Sequence, residues 1–334
     1  MRGDNMKDSS DIRKFNMLKI KKILRQGGEY TKQQIANITG LSVATCNTLL
    51  NEMQGCGEVL GEKKRLHEVG RESVCYRINE DFETFLCLFL ELHGEKRRLF
   101  ACHLSVTGRV MEQKEEGYTF LDAAAIADAV AKMCGGKAAI TQIVVGIPGI
   151  AEGDVVRHCD IPELEDAALK ESLENRFHIS VHLENDMHLK AYGYYRRCGS
   201  PDEIVTLAYF PEHILPGTAS VHKGMVLQGK NQFAGMVGFL PYDVDREEEL
   251  SLLKKDTCRP FISKAVTAII AIVNPGIIVL TGGLLDKGSL EWIRSDCLRH
   301  IPEEYMPVFC YEESLDSLYV EGMYQRALDC RDEI

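Results

Sequence analysis

The 334-residue chain has no uninterrupted apolar run of about eighteen residues, no Cys-x-x-Cys pair, and no low-complexity tract or short-period repeat. The first absence removes the segment that a membrane-spanning helix needs. The opening stretch MRGDNMKDSS also lacks the apolar core of a signal peptide, so a cytoplasmic location and no membrane partner are expected. Twelve cysteines are present, yet none is spaced as a redox pair, and Cys46 and Cys87 sit inside apolar periodic segments where free, buried thiols are expected. Disulfides are not expected in a reducing compartment. Hydrophobic residues make up 45% of the chain, enough for a large core, and the length predicts two or three domains.

The net charge of −11 is unevenly spread. Residues 1–80 carry 14 Lys and Arg against 10 Asp and Glu, whereas the remainder carries 25 against 40. Only the first part suits a polyanionic partner, while the acidic remainder repels one.

Within that first part, residues 31–53 read TKQQIANITGLSVATCNTLLNEM. Thr31 with Gln34 three residues later fits a capping box, Ile35 and Ile38 follow on one face, and Gly40 ends the helix. Ser42 is the next N-cap, and Cys46, Leu49, Leu50 and Met53 recur at helical spacing as an inward stripe. The other face holds Val43, Ala44, Thr45, Asn47, Thr48 and Asn51, short side chains suited to base edges in a major groove. An earlier helix carries Met17, Ile20, Ile23 and Leu24, with Lys19, Lys21, Lys22 and Arg25 largely off the stripe. Two strands are expected near 59–60 and 73–78, with Lys63, Lys64 and Arg65 at a basic tip between them and Arg71 placed to reach a minor groove. This predicts a winged helix-turn-helix whose DNA contacts are Thr31, Ser42, Val43, Thr45, Asn47, Thr48, Lys63, Lys64, Arg65 and Arg71. The alternative is a three-helix structural bundle with a solvated basic face.

From about residue 81 strands and helices alternate, which implies α/β architecture. Strands are expected at 86–90, 98–104, 142–145, 180–183 and 277–280, and helices at 122–133, 163–177 and 261–273. Asn185 and Asp186 stand at a strand's carboxyl end, where ligands bind in such sheets. The same pair could simply cap the following helix.

The order of these segments resembles the ROK family of repressors and sugar kinases. The resemblance rests on the N-terminal pattern, then GIPG at 146–149, HLEND at 182–186, GKNQFAG at 229–235 and NPGIIVLTGG at 274–283, and it spans residues 11–327. It implies a winged helix-turn-helix at 1–80 followed by two actin-like, ribonuclease H-like α/β lobes. These would occupy 81–195 and 196–334, with the C-terminal helix returning to the first lobe and a sugar cleft between them. It also implies a homodimer or tetramer. By the same resemblance, Asp186 corresponds to the base that activates a sugar hydroxyl in the kinases, Asn185 orients hydroxyls, and Gly149 supplies backbone.

The chain departs from the kinases in three places. The first phosphate loop is replaced by Glu91-Leu92-His93-Gly94-Glu95, with one glycine and two carboxylates, a poor cradle for phosphate. The second would fall at Ile214-Leu215-Pro216-Gly217-Thr218, where the glycines have mostly gone. In the zinc-binding members a Glu and a His stand where Met236 and Phe239 are found here, and a cysteine cluster follows; Cys258 alone cannot replace it. No metal, no cofactor and no catalysis are therefore expected, Asp186 being vestigial. The expected ligand site is Gly149, Asn185, Asp186, Met236 and Phe239, made more apolar, which weakens recognition of a simple hexose and leaves a sugar or modified sugar, another metabolite, or no ligand as the alternatives. The sequence thus predicts a transcriptional regulator, a repressor of carbohydrate-related genes, that reads a near-palindromic operator on double-stranded DNA. The alternatives are an ATP-dependent sugar kinase using Asp186 as base, and a ligand-free interaction scaffold.

Overall fold

The computed structural model describes residues 9–65, 72–135, 140–199 and 202–332. The first unit runs α1 (Ser9–Leu24), β1 (Tyr30–Thr31), α2 (Lys32–Thr39), α3 (Val43–Gly55), β2 (Val59–Lys64) and β3 (Ser73–Ile78). Helix α2 starts at the Thr31 box, where the Thr31 N–H donates to Gln34 Oε1 at 2.8 Å and the Gln34 N–H donates to Thr31 Oγ1 at 3.3 Å. It stops at Gly40, whose φ of 70° lies in the left-handed region. Ser42 caps α3, accepting from the Thr45 N–H at 3.0 Å. Cys46, Leu49, Leu50 and Met53 are buried against Ile20, Leu24, Ile35, Val59 and Tyr76. The strands pair antiparallel in the order β1-β3-β2. Strand β2 runs beyond the expected 59–60, because Lys63 and Lys64 pair with Val74 and Ser73 instead of forming a loop.

The first lobe comprises β4 (Thr84–His93), β5 (Lys96–Ser105), β6 (Val110–Tyr118), α4 (Ala123–Cys134), β7 (Ile140–Ile147), the ribbon β8 (Ile150–Glu152) and β9 (Val155–Arg157), α5 (Leu169–Phe177), β10 (Ser180–Asn185) and α6 (Asp186–Arg197). The second comprises β11 (Val205–Tyr209), β12 (Gly217–His222), β13 (Met225–Val226), α7 (Arg246–Leu252), α8 (Arg259–Val273), β14 (Ile277–Thr281), α9 (Ser289–Cys297), β15 (Val308–Tyr311) and α10 (Asp316–Asp332). Their sheets run β10-β7-β4-β5-β6 and β13-β12-β11-β14-β15. Both start with three antiparallel strands and then add two parallel strands on the other side of the first. The body is therefore one topology used twice. The helix expected at 163–177 begins only at Leu169: Asp166 is left-handed at φ 62°, and the backbone at 166–167 hydrogen-bonds to Val156 instead.

Strand β4 alternates, as a strand buried on both faces must. Leu86, Leu88 and Leu90 face α4 and α5, while Phe85, Cys87 and Phe89 share one core with Tyr319 and Met323 of α10 and with the N-terminal unit. Helix α10 leaves the second lobe and crosses α6 of the first with almost no space between the backbones. A Cβ on Gly193 would lie 1.9 Å from the Leu318 carbonyl oxygen, and one on Gly322 would lie 1.9 Å from that of Leu189.

A buried ionic joint completes the attachment. Arg25 of α1 donates to both carboxylate oxygens of Asp332, at 2.9 and 3.2 Å. Arg331 pairs with Glu83 at 2.8 Å and with Glu58 at 3.6 Å, and Lys21 pairs with Glu58. Three cations thus balance three carboxylates, and Lys21, Arg25, Glu58 and Glu83 are all buried. Lys21 and Arg25, which lie off the apolar stripe in sequence, are consumed by this joint. Among the described residues no helix is long and apolar enough to cross a membrane.

Candidate functional site

Two regions gather the residues singled out in the sequence. The first is the outer surface of the N-terminal unit. Helix α3 exposes Val43, Ala44, Thr48 and Asn51, with Ser42 exposed at its start and Thr45 and Asn47 half-buried. Several hydrogen-bonding groups here are already engaged. Ser42 Oγ and Thr45 Oγ1 lie 2.8 Å apart, Thr48 Oγ1 donates to the Ala44 carbonyl at 3.2 Å, and Lys32 Nζ donates to Asn47 Oδ1. Thr31 is taken up by its cap at the start of α2. On the hairpin, Lys64 is paired with Glu29 at 2.6 Å and with Glu62 at 3.4 Å, because the loop before β1 brings Glu29 alongside β2. Lys63 and Arg65 are exposed, Arg65 lying 3.7 Å from Glu72. Arg71 falls outside the described residues.

The second region is the cleft between the lobes. Gly149, Asn185, Asp186, Met236 and Phe239 all line one cavity of about 320 Å³. Asn185 is engaged at both amide atoms: its Oδ1 accepts from the Met187 and His188 N–H groups at 2.9 and 3.2 Å, and its Nδ2 donates to the Gly149 carbonyl at 2.7 Å. It therefore caps α6 and ties the turn after β7 to the cleft. Gly149 has no room for a side chain, since a Cβ would sit 2.8 Å from Cys159 Cα. Phe233 and Phe239 form an edge-on pair at 5.2 Å, with the Arg246 guanidinium 4.7 Å from the Phe239 ring. Asp160, His158, Tyr209 and the segment 214–217 complete the walls. The segment 214–217, aligned in sequence with a phosphate loop, thus lines the same cavity as Gly149 and Asp186.

Asp186, on the first turn of α6, accepts from Lys190 Nζ at 2.8 Å. Lys190 is 3% exposed, also faces Glu91 at 3.5 Å, and lies 4.7 Å from the Tyr319 ring and 5.5 Å from that of Tyr209. Although burial works against its charge, the carboxylates of Asp186 and Glu91 hold its amine above the ordinary lysine value. Beyond Tyr209 and Lys190 lies a second cavity of about 410 Å³, lined by Glu91, Arg98, Thr281, Gly282, Glu313 and Asp316 among others. Arg98 is spent there on Glu91, Glu115 and Asp316 at 2.9, 2.7 and 3.2 Å. Gly282 has φ 112°, and a Cβ would fall 2.2 Å from the Phe210 carbonyl oxygen, so packing against the end of β11 accounts for this glycine.

Asp160 and Lys190 carry no sequence signal that separates them from ordinary surface residues. Asp160 follows β9 in an irregular segment, and Lys190 is one polar residue in the helix MHLKAYGYY. Asp160 is exposed to the cavity, where partial desolvation by the walls and the neighbouring Asp186 charge, against the pull of Lys190, push its carboxyl up to about 6. Among the described residues no cluster of three or more His, Cys, Asp or Glu side chains could hold a metal ion.

Duplicated sheets with a cleft at their carboxyl ends, closed by a helix that recrosses to the first lobe, define the actin-like fold of the ROK proteins. A solved ROK family transcriptional regulator, described as a homolog of the E. coli MLC protein, superposes with a TM-score of 0.70 at 14% identity, covering 96% of this chain and 99% of that one. The ROK hexokinase of Thermus thermophilus superposes at 0.59 and 18% identity, over 75% of this chain and 99% of its own. The difference in coverage is about the size of the N-terminal unit, which the regulator match takes in. In sequence the chain is 24% identical over 246 residues to a protein of Caldicellulosiruptor sp. (strain Rt8B.4) described as "Putative xylose repressor", covering 70% of this chain and 60% of that protein. The chain thus aligns with less than two thirds of that relative's length. No family model matches the chain.

Proposed function

We propose that this chain is a DNA-binding transcriptional regulator, a repressor of carbohydrate-related genes, with a winged helix-turn-helix headpiece on a sugar-kinase-like body that no longer transfers phosphate. The observation that carries the reading is the N-terminal unit itself. It sets an uncharged helix face beside a hairpin bearing exposed cations, on a chain that is otherwise acidic. Val43, Thr48 and Asn51 would face bases in the major groove. Ser42 at the positive end of α3 would meet a phosphate, as would Lys63 and Arg65. Thr45 and Asn47 would reach DNA only by exchanging their present partners. A homodimer or tetramer would present paired headpieces to a near-palindromic site.

The cleft supports a sensor in place of a catalyst. A general base must be free to take a proton, and Asp186 is held by Lys190. Where nucleotide phosphates would lie, the second cavity sets Glu91, Glu313 and Asp316 against Arg98 and Lys190, both already paired, and Lys255, which lies 4.0 Å from Glu212. The sugar-side cavity keeps the Asp186 carboxylate and has Met236 and Phe239, beside Phe233, in place of the Glu and His of the zinc-binding members, which favours a modified sugar over a simple hexose as effector. A ligand bound between lobes would bias their relative angle and, through the buried joint, the headpieces.

The test is a titration of duplex DNA followed by fluorescence anisotropy at several salt concentrations. Replacing Lys63 and Arg65 by Ala should lower affinity for all sequences alike and reduce the salt slope by about 0.9 for each phosphate no longer neutralised. Lys64→Ala should change it less, because Glu29 already neutralises that amine. An unchanged slope in the Lys63/Arg65 variant removes the wing from the interface. Coupled ATP turnover across a sugar panel checks the alternative: activity that vanishes in Asp186→Asn would make the chain a kinase.

A further inference from the structure

The charges around the sugar-side cavity do not cancel. Lys190 is shared by Asp186 at 2.8 Å and Glu91 at 3.5 Å. Arg246, which covers Phe239, is bound to Glu249 at 2.7 Å and to the Gly238 carbonyl at 2.6 Å. His158 contributes the remaining ionisable wall from the first lobe, and Tyr209 stands on the second. Among the described residues, no cation lies within ion-pair distance of the Asp160 carboxylate, although its backbone N–H is fixed to the Pro148 carbonyl at 2.8 Å. The Asp160 backbone is therefore anchored while its carboxylate opens to the cavity without a direct ion pair, Lys190 acting on it only from a distance. Phe233 and Phe239, 47% and 57% exposed, line the same cavity; Arg246 already covers the Phe239 ring, which leaves Phe233 as the ring face open to a cation.

We infer that the effector of this cleft is a small polyhydroxylated molecule carrying a protonated amine, with the ammonium seated on Asp160 between Phe233 and Asp186. This rests on the cleft being an effector site and adds the ligand's charge. An ammonium would supply the missing counter-charge and donate to a carboxylate, an interaction stronger than a neutral hydroxyl offers. The apolar Ile214, Leu215, Pro216 and Met236 would cover the less polar edge of the ring. A phosphorylated sugar is disfavoured at this position, since its negative charge would meet Asp160 and Asp186 together.

The experiment compares glucosamine, N-acetylglucosamine and glucose on the full-length protein near neutral pH, by thermal shift and calorimetric titration. The three share a ring and differ in whether position two bears a charge. Glucosamine is expected to raise the melting temperature and bind more tightly than the other two, and Asp160→Asn should weaken glucosamine by about 10- to 100-fold while leaving glucose unchanged. Should glucose or N-acetylglucosamine bind as well as glucosamine, or should Asp160→Asn respond like the wild type, the amine is overturned while the cleft remains an effector site. Should none of the three bind, both the amine and the sugar-responsive cleft are overturned. The melting temperature of ligand-free Asp160→Asn separates loss of binding from loss of fold.

Discussion

Asp160 and Lys190 show how differently two charged side chains can be held within one cleft. Lys190 is buried but flanked by two carboxylates, so its charge is retained. Asp160 forms no direct ion pair among the described residues, and desolvation with the Asp186 charge outweighs the pull of Lys190, so its carboxyl is raised from 3.8 to about 6. A carboxyl that is harder to ionise in the folded state favours folding while protonated and loses that contribution as pH rises through its folded value. Asp160→Asn should therefore melt at a higher temperature than the wild type at pH 7 to 8, with the difference shrinking as pH falls through about 6 and vanishing below about 4. Thermal melts of both proteins across that range check it; a variant less stable at every pH would show that Asp160 has a structural partner. The sequence makes Asn185 and Asp186 visible because they end a β-strand. It gives no hint of Lys190, whose partner Glu91 is 99 positions away in the chain and meets it only through the sheet.

At the scale of elements, the crossing of α6 and α10 is the tightest contact in the body. Gly193 and Gly322 let the helices approach until each glycine faces the other helix's backbone. Gly322→Ala should cost about 1–3 kcal/mol or more, because the added methyl meets a carbonyl that cannot rotate away. Denaturant unfolding measures this, and a destabilisation below about 0.5 kcal/mol would mean that the helices can separate freely. Elements with strong local signals were legible: α2 and α3 through their caps, α4 and α8 through periodicity, and β4, β7, β10 and β14 through apolar runs. The short strands β11, β12, β13 and β15 were not, since they draw their stability from neighbours in the sheet and carry little pattern of their own. Helix α5 starts later than its composition suggests because the preceding residues pair with β9.

For the whole molecule, a buried joint ties the N-terminal unit, the proposed headpiece, to the first lobe. The core of that unit is continuous with that of the first lobe, and Arg25, Arg331 and Lys21 lock it to Glu83, Glu58 and Asp332. The first lobe, α10 and the headpiece should therefore act as one body, with the second lobe as the moving part. Breaking a buried ion pair by removing one partner leaves the other charge stranded, so Arg25→Ala should destabilise the protein by about 3–5 kcal/mol. It should also open the segment between residues 78 and 84 to limited proteolysis; a protein that stays resistant and equally stable would show that the apolar contacts suffice alone. The duplication of the two sheets could not be read from the sequence, which holds no short-period repeat, because topology survives where side chains diverge.

Sequence-specific DNA binding is the activity proposed for this chain. Its most direct test is selection of random duplex DNA by the full-length protein, run beside a Lys63→Ala, Arg65→Ala, Thr48→Ala variant. The wild type should enrich a near-palindromic pair of half-sites about one helical turn, or a multiple of it, apart, and the variant should lose this enrichment. A pool that remains random with the wild type, or the same sequences recovered by both proteins, would contradict it.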